Sequence, residues 1–351
     1  MKSKFTRKAL VALLAVSALV LSACSSGSDD AAGDVKVSLI LKNQTNPFFV
    51  AMVKGAEAKA AELGLDLTIS SGKEEGDDAA QIAAIENAIS AKHAGIVITV
   101  MSTNVNAAIT KAREAGLLVI ALDTPTDPAD IADITFATDN REAGKLIGQW
   151  GAKKLNGQKA VIALLNIFDD RVSPVDYLRD NGFLEGMGIP VNDPNKMADE
   201  AKKGKYSGGD YEIVGNVATG ANEDGGRSGM EKLLARNPNI NIVYTINEPT
   251  AAGACAALKA AKKSAIVVSV DGGLPGIENV KSGCIGATSQ QYPLLMADLG
   301  LQAIYDLVKT GKKPEVTPGK DFFDTGVKLI TDDPQDGVPS ENTDYGIANA
   351  W

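Results

Sequence analysis

The sequence is poor in the residues that most often carry out chemistry. Its 351 residues include one histidine, His93, and three cysteines, Cys24, Cys255 and Cys284. A single histidine argues against a histidine-based active site and against most zinc sites, and the cysteines lack the spacing of metal ligands. We therefore expect neither a metal nor any other cofactor.

The chain also lacks the motifs of enzymes that are built on parallel sheets. A dehydrogenase would have a glycine fingerprint after its first strand, where this chain reads KNQTNPFF, and the glycines of GANEDGG lack the strand-to-helix context. Neither the nucleophile elbow nor the carboxylate cluster of a hydrolase is found in the sequence. A binding protein without catalytic residues is therefore favoured over an enzyme.

Positive charge is scarce as well. The chain has 35 Lys and Arg against 44 Asp and Glu, which gives a net charge of −9. Four of the basic residues lie within residues 1–23, which contain no acidic residue, so the rest of the chain carries −13. Nucleic-acid binding needs basic faces, and we therefore expect no nucleic-acid partner.

The amino end has the features of a secretion signal. A basic start is followed by an apolar run, residues 9–21, that is too short to span a membrane comfortably. The run ends in LSAC, which resembles a bacterial lipobox, in which Cys24 is lipidated and becomes the first mature residue. Residues 24–34 are small and polar, as a flexible tether should be. We expect an extracytoplasmic lipoprotein anchored to the cell membrane, the alternative being a chance cysteine after a plain signal peptide.

Export permits the two remaining cysteines to form a disulfide. Cys255 lies in a predicted helix and Cys284 at the start of a predicted strand. A bridge between them is possible, and two separate buried thiols are the preferred interpretation.

From residue 35 onward, strand and helix patterns alternate. Residues 35–50, VKVSLILKNQTNPFFV, combine a buried strand, a polar loop and the start of a helix with Pro47 in its first turn. Residues 190–210 read as a polar surface insertion. Further strands are predicted at 65–70, 95–100, 117–122, 134–138, 159–165, 211–218, 242–246, 265–270, 285–290 and 327–330, and helices at 81–91, 104–115 (capped by Asn104), 141–155, 174–186, 224–237, 249–261, 275–282 and 293–309. Such alternation predicts parallel sheets covered by helices on both faces.

The alternation falls into two series, which meet near Asp139 and Asn140 without a long linker. Two sheets joined by short extended crossings would form a hinge that allows closure around a ligand. We expect an N-terminal lobe of residues 35–138 plus 292–325 and a C-terminal lobe of residues 139–291 plus 326–351.

Polar residues follow several predicted strands. Asp123 ends VIALD and Asp271 ends VVSVD, while Asn247 and Gln291 follow two further strands. Carboxylates accept hydrogen bonds from sugar hydroxyls, and Arg179 at the start of a helix could donate to ring and hydroxyl oxygens. The alternatives are that each aspartate caps the next helix and that Arg179 forms a surface ion pair.

The first loop adds an aromatic face. Phe48 and Phe49 sit where the first strand opens to the crevice in which open parallel sheets bind small ligands. An aromatic ring beside the amide of Asn46 and the ammonium group of Lys42 suits a sugar. The alternative is that both rings belong to the core.

These motifs together resemble one family. The pieces LKNQTNPFFV, VIALDTP, FATDNREAG, YLRDNGF, YTINEPTAAGA, VVSVDGG and ATSQQYP resemble sugar-binding lipoproteins of the ribose-binding type, the periplasmic binding proteins with three crossings. The resemblance covers residues 35–330. It implies an α/β fold of two doubly wound parallel-sheet lobes joined by a three-stranded hinge, with the ligand in the cleft.

The resemblance also implies ligand contacts at individual positions. Phe48 would stack on the sugar ring, Lys42 falls where allose-binding relatives place a contacting lysine, and Gln291 would reach the sugar from the hinge. Asn222 stands where a second-lobe stacking aromatic is replaced. The implied set is Lys42, Asn46, Phe48, Phe49, Asp123, Arg179, Asn222, Asn247, Asp271 and Gln291.

Three departures from ribose binders argue against ribose itself. Thr124 replaces an arginine after the first carboxylate, Met101 an asparagine, and Val270 a phenylalanine before the second carboxylate. Phe168 or Tyr177 is the candidate for the missing second ring. The phrases LDTPTDPAD, TGANEDGG, SVDGG and SQQYP resemble the fructose-binding branch.

The resemblance implies a monomer that captures a monosaccharide, fructose being favoured, and delivers it by lobe closure to the permease of an ABC importer. Ribose, xylose, allose, glucose and myo-inositol stay open as ligands, and so does a role as a sugar or autoinducer receptor for a sensor. A transcription regulator of this fold would carry a helix-turn-helix where this chain has the signal and lipobox.

Overall fold

The first strand, β1 (Val35–Leu41), is buried on both faces from Val37 to its end. Val37, Leu39 and Leu41 pack into one buried cluster, whereas Ile40 packs into another. Because successive side chains of a strand point to opposite faces, both faces of such a sheet must be covered. The computed structural model describes residues 35–351, and in this part of the chain helices and loops cover both faces.

The first half of the chain alternates strands and helices. In order, the elements are β1, α1 (Pro47–Leu63), β2 (Leu65–Ser71), α2 (Asp78–Ser90), β3 (Gly95–Ile98), α3 (Asn106–Glu114), β4 (Leu118–Leu122) and β5 (Ile134–Ala137).

The second half continues the alternation. Its elements are α4 (Asn140–Lys154), β6 (Ala160–Asn166), α5 (Pro174–Met187), β7 (Lys203–Tyr206), β8 (Gly209–Ala218), α6 (Glu223–Arg236), β9 (Ile242–Thr245), α7 (Glu248–Ala260), β10 (Ile266–Asp271), α8 (Leu274–Lys281), β11 (Ala287–Gln290), α9 (Pro293–Thr310), β12 (Phe323–Asp324), β13 (Lys328–Ile330) and α10 (Thr343–Ala348).

The strands form two sheets. The six-stranded sheet has the order β12-β5-β4-β3-β1-β2, and the seven-stranded sheet has the order β13-β11-β10-β9-β6-β8-β7. All pairs are parallel except β7 with β8 and β11 with β13, which lie at the edges. We call each sheet with its helices a lobe, the first being the six-stranded one. This architecture confirms the predicted fold class.

The chain passes between the sheets three times, after β5, after β11 and after β12. After β11 it enters α9, whose Met296 and Leu301 pack into the core of the first sheet. The passages contact one another, since the Thr138 hydroxyl donates to the Gly326 carbonyl over 3.1 Å. The two lobes therefore meet at a hinge made of neighbouring chain segments.

One local prediction is wrong and others are incomplete. Asn104 does not cap α3: it lies in a 3₁₀ turn at Thr103–Val105, capped by the Ser102 hydroxyl. The insertion at 190–210 contains β7, which pairs with β8 as an edge hairpin. The helix α10, in the tail after Gly326, and the short strand β12, just before that residue, were not predicted.

The cysteine prediction is wrong too. Cys255 and Cys284 form a disulfide with an S–S distance of 2.03 Å, and both residues are partly rather than fully buried. The sequence pattern around each cysteine could not decide whether the two are paired, because the pairing depends on how α7 packs against the segment before β11.

The predicted signal, the lipidated Cys24 and the tether lie outside the described residues. Within residues 35–351, no helix has the length and apolar character needed to cross a membrane.

Candidate functional site

The carboxyl ends of strands from both lobes face one another across a cleft. Its deepest part, the inner pocket, is lined by Lys42, Asn46, Phe48, Phe49, Glu75, Asp123, Ile167, Val175, Arg179, Ala221, Ile246, Asn247 and Asp271. This set includes eight of the ten residues that the sequence predicts, and leaves out Asn222 and Gln291. The cavity measures only about 30 Å³, room for a water molecule or two. A sugar would therefore have to displace these side chains, or enter with the lobes further apart.

The first wall is aromatic. Asn46 caps α1 by accepting the backbone N–H of Phe48, and Pro47 occupies the first turn. Phe48 and Phe49 are 3% and 4% exposed, and their rings meet edge to face with centroids 5.4 Å apart. Both rings belong to the core of the first lobe and both also line the pocket. Phe48 and Phe49 therefore belong to the hydrophobic core and line the pocket at the same time.

Arg179 joins the two lobes in the middle of the pocket. Its Nη2 lies 3.3 Å from Asp123 Oδ1 in the first lobe, and its Nη1 lies 3.8 Å from Asp271 Oδ1 in the second. Nε donates to Asn140 Oδ1 over 2.8 Å and Nη1 to the Ile246 carbonyl over 2.9 Å. All three charged groups are nearly buried, so the guanidinium is a fixed hydrogen-bond donor rather than a surface charge.

Both carboxylates leave their strands with unusual backbone angles. Asp123 has φ 63° and Asp271 has φ 146°, a region that residues with a Cβ seldom adopt. The turn at Asp123 lets its carbonyl accept Asn140 Nδ2–H over 2.8 Å while its side chain faces Arg179. Strain of this kind is concentrated at ligand sites, where the surroundings hold it in place.

A second buried ion pair borders the pocket. Lys42 Nζ lies 3.2 Å from Glu75 Oε1, with side chains that are 3% and 5% exposed. Glu75 Oε2 also accepts Asn43 Nδ2–H over 3.1 Å. The predicted ammonium group at Lys42 is therefore present at the pocket, with a carboxylate partner that the sequence analysis missed.

Glu248 supports the Asp271 turn. Its carboxylate accepts the backbone N–H groups of Gly272 and Gly273 at 2.8 and 3.0 Å and the Thr288 hydroxyl at 2.8 Å. Burial, with added repulsion from Asp271, raises the pKa of Glu248 to about 8. Burial likewise raises the pKa of Asp271 to about 7, against the opposing effect of Arg179.

The remaining amides are engaged with the protein. Asn247 caps α7 and donates to the Ala221 carbonyl, although it lines the inner pocket. Asn222 is exposed and caps α6, away from the inner pocket. Gln291 is buried, and its Nε2 donates to Asp271 Oδ1 over 3.0 Å. In this conformation Asn222 and Gln291 thus lie outside the pocket that the other eight residues line.

The second wall is aliphatic. It consists of Ile167, Val175, Ala221 and Ile246, which pack together with Phe168. Phe168 does not line the inner pocket, and the Tyr177 hydroxyl donates to Asp127 over 3.2 Å. Neither of the two candidate rings therefore replaces the missing aromatic at this wall.

The three departures from ribose binders have clear structural roles. The Thr124 hydroxyl donates to Asp123 Oδ2 over 3.0 Å, at the position where the ribose-binding pattern implies an arginine. The Met101 sulfur accepts the Gly76 N–H, and Val270 is buried in the core of the second lobe. The pocket thus has one guanidinium fewer than the ribose-binding pattern implies.

A larger cavity, the outer chamber, adjoins the inner pocket. It measures about 430 Å³ and shares Asn46, Glu75, Ala221 and Asp271 with the inner pocket. Its other lining residues include Asn222, Glu248 and Trp351. The cleft as a whole therefore has space for a small ligand, most of it outside the inner pocket.

Four residues of this region were not predicted as site residues: Glu75, Asn140, Glu248 and Trp351. Asn140 directly follows Asp139 at a crossing, and Glu248 directly follows Asn247 at a strand end. The expectation that polar residues after strands line the cleft could therefore have included both. Glu75 lies in a charged run and Trp351 in a polar tail, where the sequence gives no signal. Among residues 35–351, no group of three or more histidine, cysteine or carboxylate side chains is placed to hold a metal ion.

Comparisons with known proteins agree with this geometry. Residues 37–313 match the family described as periplasmic binding protein domain. The chain is 30% identical to a ribose import binding protein of Haemophilus influenzae over 305 residues, 86% of this chain and 95% of the relative. It is 26% identical to a D-allose-binding periplasmic protein of Escherichia coli, over 87% of this chain and 94% of the relative. A solved ABC transporter solute-binding protein from Agrobacterium vitis with bound D-fucose superposes with a TM-score of 0.71 at 25% identity, over 85% of this chain and 95% of that one.

Proposed function

The chain belongs to the periplasmic binding protein family, and on that premise we propose that it captures a monosaccharide between its lobes and delivers it to an ABC importer. It acts by binding and closure and catalyses no reaction. The names of its relatives, which bind ribose or allose, support a sugar as the class of ligand.

One observation carries this proposal: Arg179 lies between Asp123 and Asp271 beside the Phe48 ring. Carboxylates and a guanidinium are charge-assisted partners for hydroxyl groups, and the ring offers a face for sugar C–H groups. The groups come from both lobes, so a ligand that binds all of them favours the closed arrangement.

Fructose is the favoured sugar. The loss of the arginine at Thr124 and the aliphatic second wall depart from the ribose pattern, and the flanking sequence phrases resemble the fructose-binding branch. Ribose, allose, xylose, glucose and myo-inositol are the competing ligands.

The same proposal extends to the rest of the molecule. The moving lobes are residues 35–138 plus 292–325 and residues 139–291 plus 326–351. Asn222 and Gln291 contact the sugar after their side chains rearrange when it binds. A lipid on Cys24 anchors the protein, as a monomer, to the outer side of the cell membrane, where it meets the permease.

A thermal-shift screen of the full chain tests the proposal. Fructose, ribose, xylose, glucose, galactose, mannose, allose and myo-inositol are each added at about 1 mM to ligand-free protein. A sugar present at a thousand times its Kd adds about 4 kcal/mol of stability, so one strong responder is expected. A flat profile across the panel would reject a monosaccharide as the ligand.

A matched pair of variants then tests the site. Asp123→Ala should weaken binding of the responding sugar by about 2–4 kcal/mol, because it leaves Arg179 Nη2 and the sugar hydroxyls that bind this carboxylate without their acceptor. Asp133→Ala removes the partner of Arg113 (3.0 Å) on the same lobe, outside the cleft, and should leave the Kd unchanged. Equal affinity in Asp123→Ala and the parent protein would remove Asp123 from the site.

A further inference from the structure

Trp351 lies against the cleft without belonging to either sheet. Its ring meets Phe48 edge to face, with centroids 5.4 Å apart and planes at 84°. Phe48 in turn meets Phe49 in the same manner. The three rings form a continuous row that ends at the ligand-facing wall of the first lobe.

The same side chain is fixed to the hinge. Trp351 Nε1–H donates to the Gln291 carbonyl over 3.1 Å, just beyond β11. The Trp351 carbonyl accepts the Leu274 N–H over 3.4 Å. Its ring also packs on Gly273, where an added Cβ would come within 2.8 Å of the indole. Trp351 thus contacts the second passage between the lobes at Gln291 and the second lobe at Gly273 and Leu274.

These contacts converge on residues that the proposed function uses. Phe48 is the stacking ring, Gln291 carries a predicted sugar contact, and Gly273 is two residues from Asp271. Asp271 has a strained backbone, which persists only where neighbouring groups over-determine it. Glu248 holds the Gly272–Gly273 turn from one side, and the indole packs against it from another.

We propose that Trp351 is a positioning residue of the ligand cleft. It fixes the position of the Phe48 ring relative to the Asp271–Gly273 turn, on the other side of the hinge. The first-lobe wall and the second-lobe carboxylate therefore face the ligand together. This inference rests on the proposed function, since it assigns Trp351 a role in that same site. An aromatic pair and one hydrogen bond are lost together when the side chain is removed.

The test compares three variants of the full chain. Trp351→Ala should raise the Kd of the sugar that responds in the thermal-shift screen by about tenfold or more. Trp351→Phe keeps a ring against Phe48 and loses only the N–H group, so it should recover most of that affinity. Both variants keep the backbone bond to Leu274.

Trp150→Phe is the matched control. Trp150 also donates its indole N–H to a carbonyl, that of Asp333, but it is buried in the core of the second lobe. This variant should lower the free energy of unfolding and leave the Kd unchanged. A Kd in Trp351→Ala equal to that of the parent protein would overturn the proposal, and so would a Kd in Trp150→Phe raised as much as in Trp351→Ala.

Hydrogen exchange on ligand-free protein decides the question without a sugar. Trp351→Ala should speed exchange of the amides at 48–52 and 272–274, while those of α6 stay at the parent rate. Unchanged exchange at both segments would overturn the role of Trp351. If no sugar stabilises the parent protein, the proposed function fails, and the exchange result still decides whether Trp351 positions the cleft.

Discussion

Several carboxyl groups are buried near the Arg179 guanidinium, between the two lobes. Asp123, Asp271 and Glu248 lie close together, and Arg179 is the only arginine among the described residues that line the inner pocket. Burial and the repulsion between Asp271 and Glu248 raise the pKa of both carboxyl groups, although Arg179 opposes the shift at Asp271. Asp176, which accepts the Ile167 and Phe168 N–H groups, adds another buried acid whose pKa burial raises to about 7.

These pKa shifts make the stability of the ligand-free protein depend on pH. A carboxyl whose pKa is higher in the folded than in the unfolded protein binds its proton more tightly when folded. The free energy of unfolding contributed by Asp271 and Glu248 therefore falls as the pH rises from about 4, the unfolded value, through about 7 and 8. Asp271→Asn should make this fall smaller, because it removes one titrating group and its repulsion of Glu248.

Urea unfolding at several pH values between about 5 and about 8 measures the effect. Asp133→Asn, on the exposed pair with Arg113, serves as the control and should keep the parent slope. An Asp271→Asn protein whose unfolding free energy changes with pH as steeply as that of the parent would contradict the assignment.

Single residues were predictable where a strand ends. Asp123, Asn247 and Asp271 could be placed because the carboxyl ends of parallel strands meet at one edge of a sheet. Glu75 and Trp351 could not be placed, because they lie in a loop and in the tail after α10, where packing leaves no periodic pattern in the sequence. Gln291 was placed at the hinge, yet its amide bonds to Asp271, a choice that depends on side-chain packing.

At the scale of elements, the loop after β6 spans the cleft. Arg171 Nη1 donates to the Gly76 carbonyl over 2.7 Å and lies 3.0 Å from Asp78 Oδ2, both in the first lobe. The Val172 carbonyl accepts the Thr103 N–H over 3.1 Å. The loop belongs to the second lobe, so these contacts exist only while the lobes are closed.

Arg171→Met should therefore favour the open arrangement. Methionine keeps an apolar stem near the Phe168 ring, which the guanidinium carbon now approaches to 5.0 Å, but it loses the bonds to the first lobe. We expect sugar binding weaker by about 1 kcal/mol, through faster dissociation, and a larger radius of gyration without ligand. Stopped-flow kinetics and small-angle X-ray scattering measure the two effects.

Arg141→Met is the matched control, because Arg141 bonds Glu185 at 2.9 Å within the second lobe. It should change neither quantity. Dissociation from Arg171→Met at the parent rate would show that the loop does not hold the lobes together.

Regular elements were more predictable than irregular ones. The helices and strands of the alternating series appear near their predicted positions, because each has an apolar face with its own period. The strands β7 and β12 and the helix α10 were missed. β7 is polar, and β12 and α10 are only two and six residues long, too short for a periodic pattern.

At the scale of the whole molecule, neither lobe contains a complete site. Phe48 and Asp123 come from the first lobe, and Arg179 and Asp271 from the second. The overall architecture followed from the alternation of strands and helices, whereas the degree of closure depends on contacts such as those of Arg171 and Trp351. Binding is thus a property of the pair of lobes.

The disulfide acts on this scale by stabilising one lobe. Cys255 and Cys284 are 29 residues apart and line neither the inner pocket nor the outer chamber. A bridge that closes a loop of this size stabilises a protein by about 3–4 kcal/mol. The double variant Cys255→Ala/Cys284→Ala should unfold at a lower urea concentration and bind sugar with the parent Kd. An unchanged urea midpoint, or a large change in Kd, would contradict this separation of roles.

The interleaved path of the chain also sets the order in which the lobes can be finished. The first sheet gains its edge strand β12 and its covering helix α9 only from residues 293–324, which are synthesised after every strand of the second sheet except β13. A growing chain on the ribosome therefore holds an open-edged, partly uncovered sheet until nearly all of the protein has been made. Delayed completion of both lobes suits a polypeptide whose residues 1–23 are predicted to direct it across a membrane before it folds.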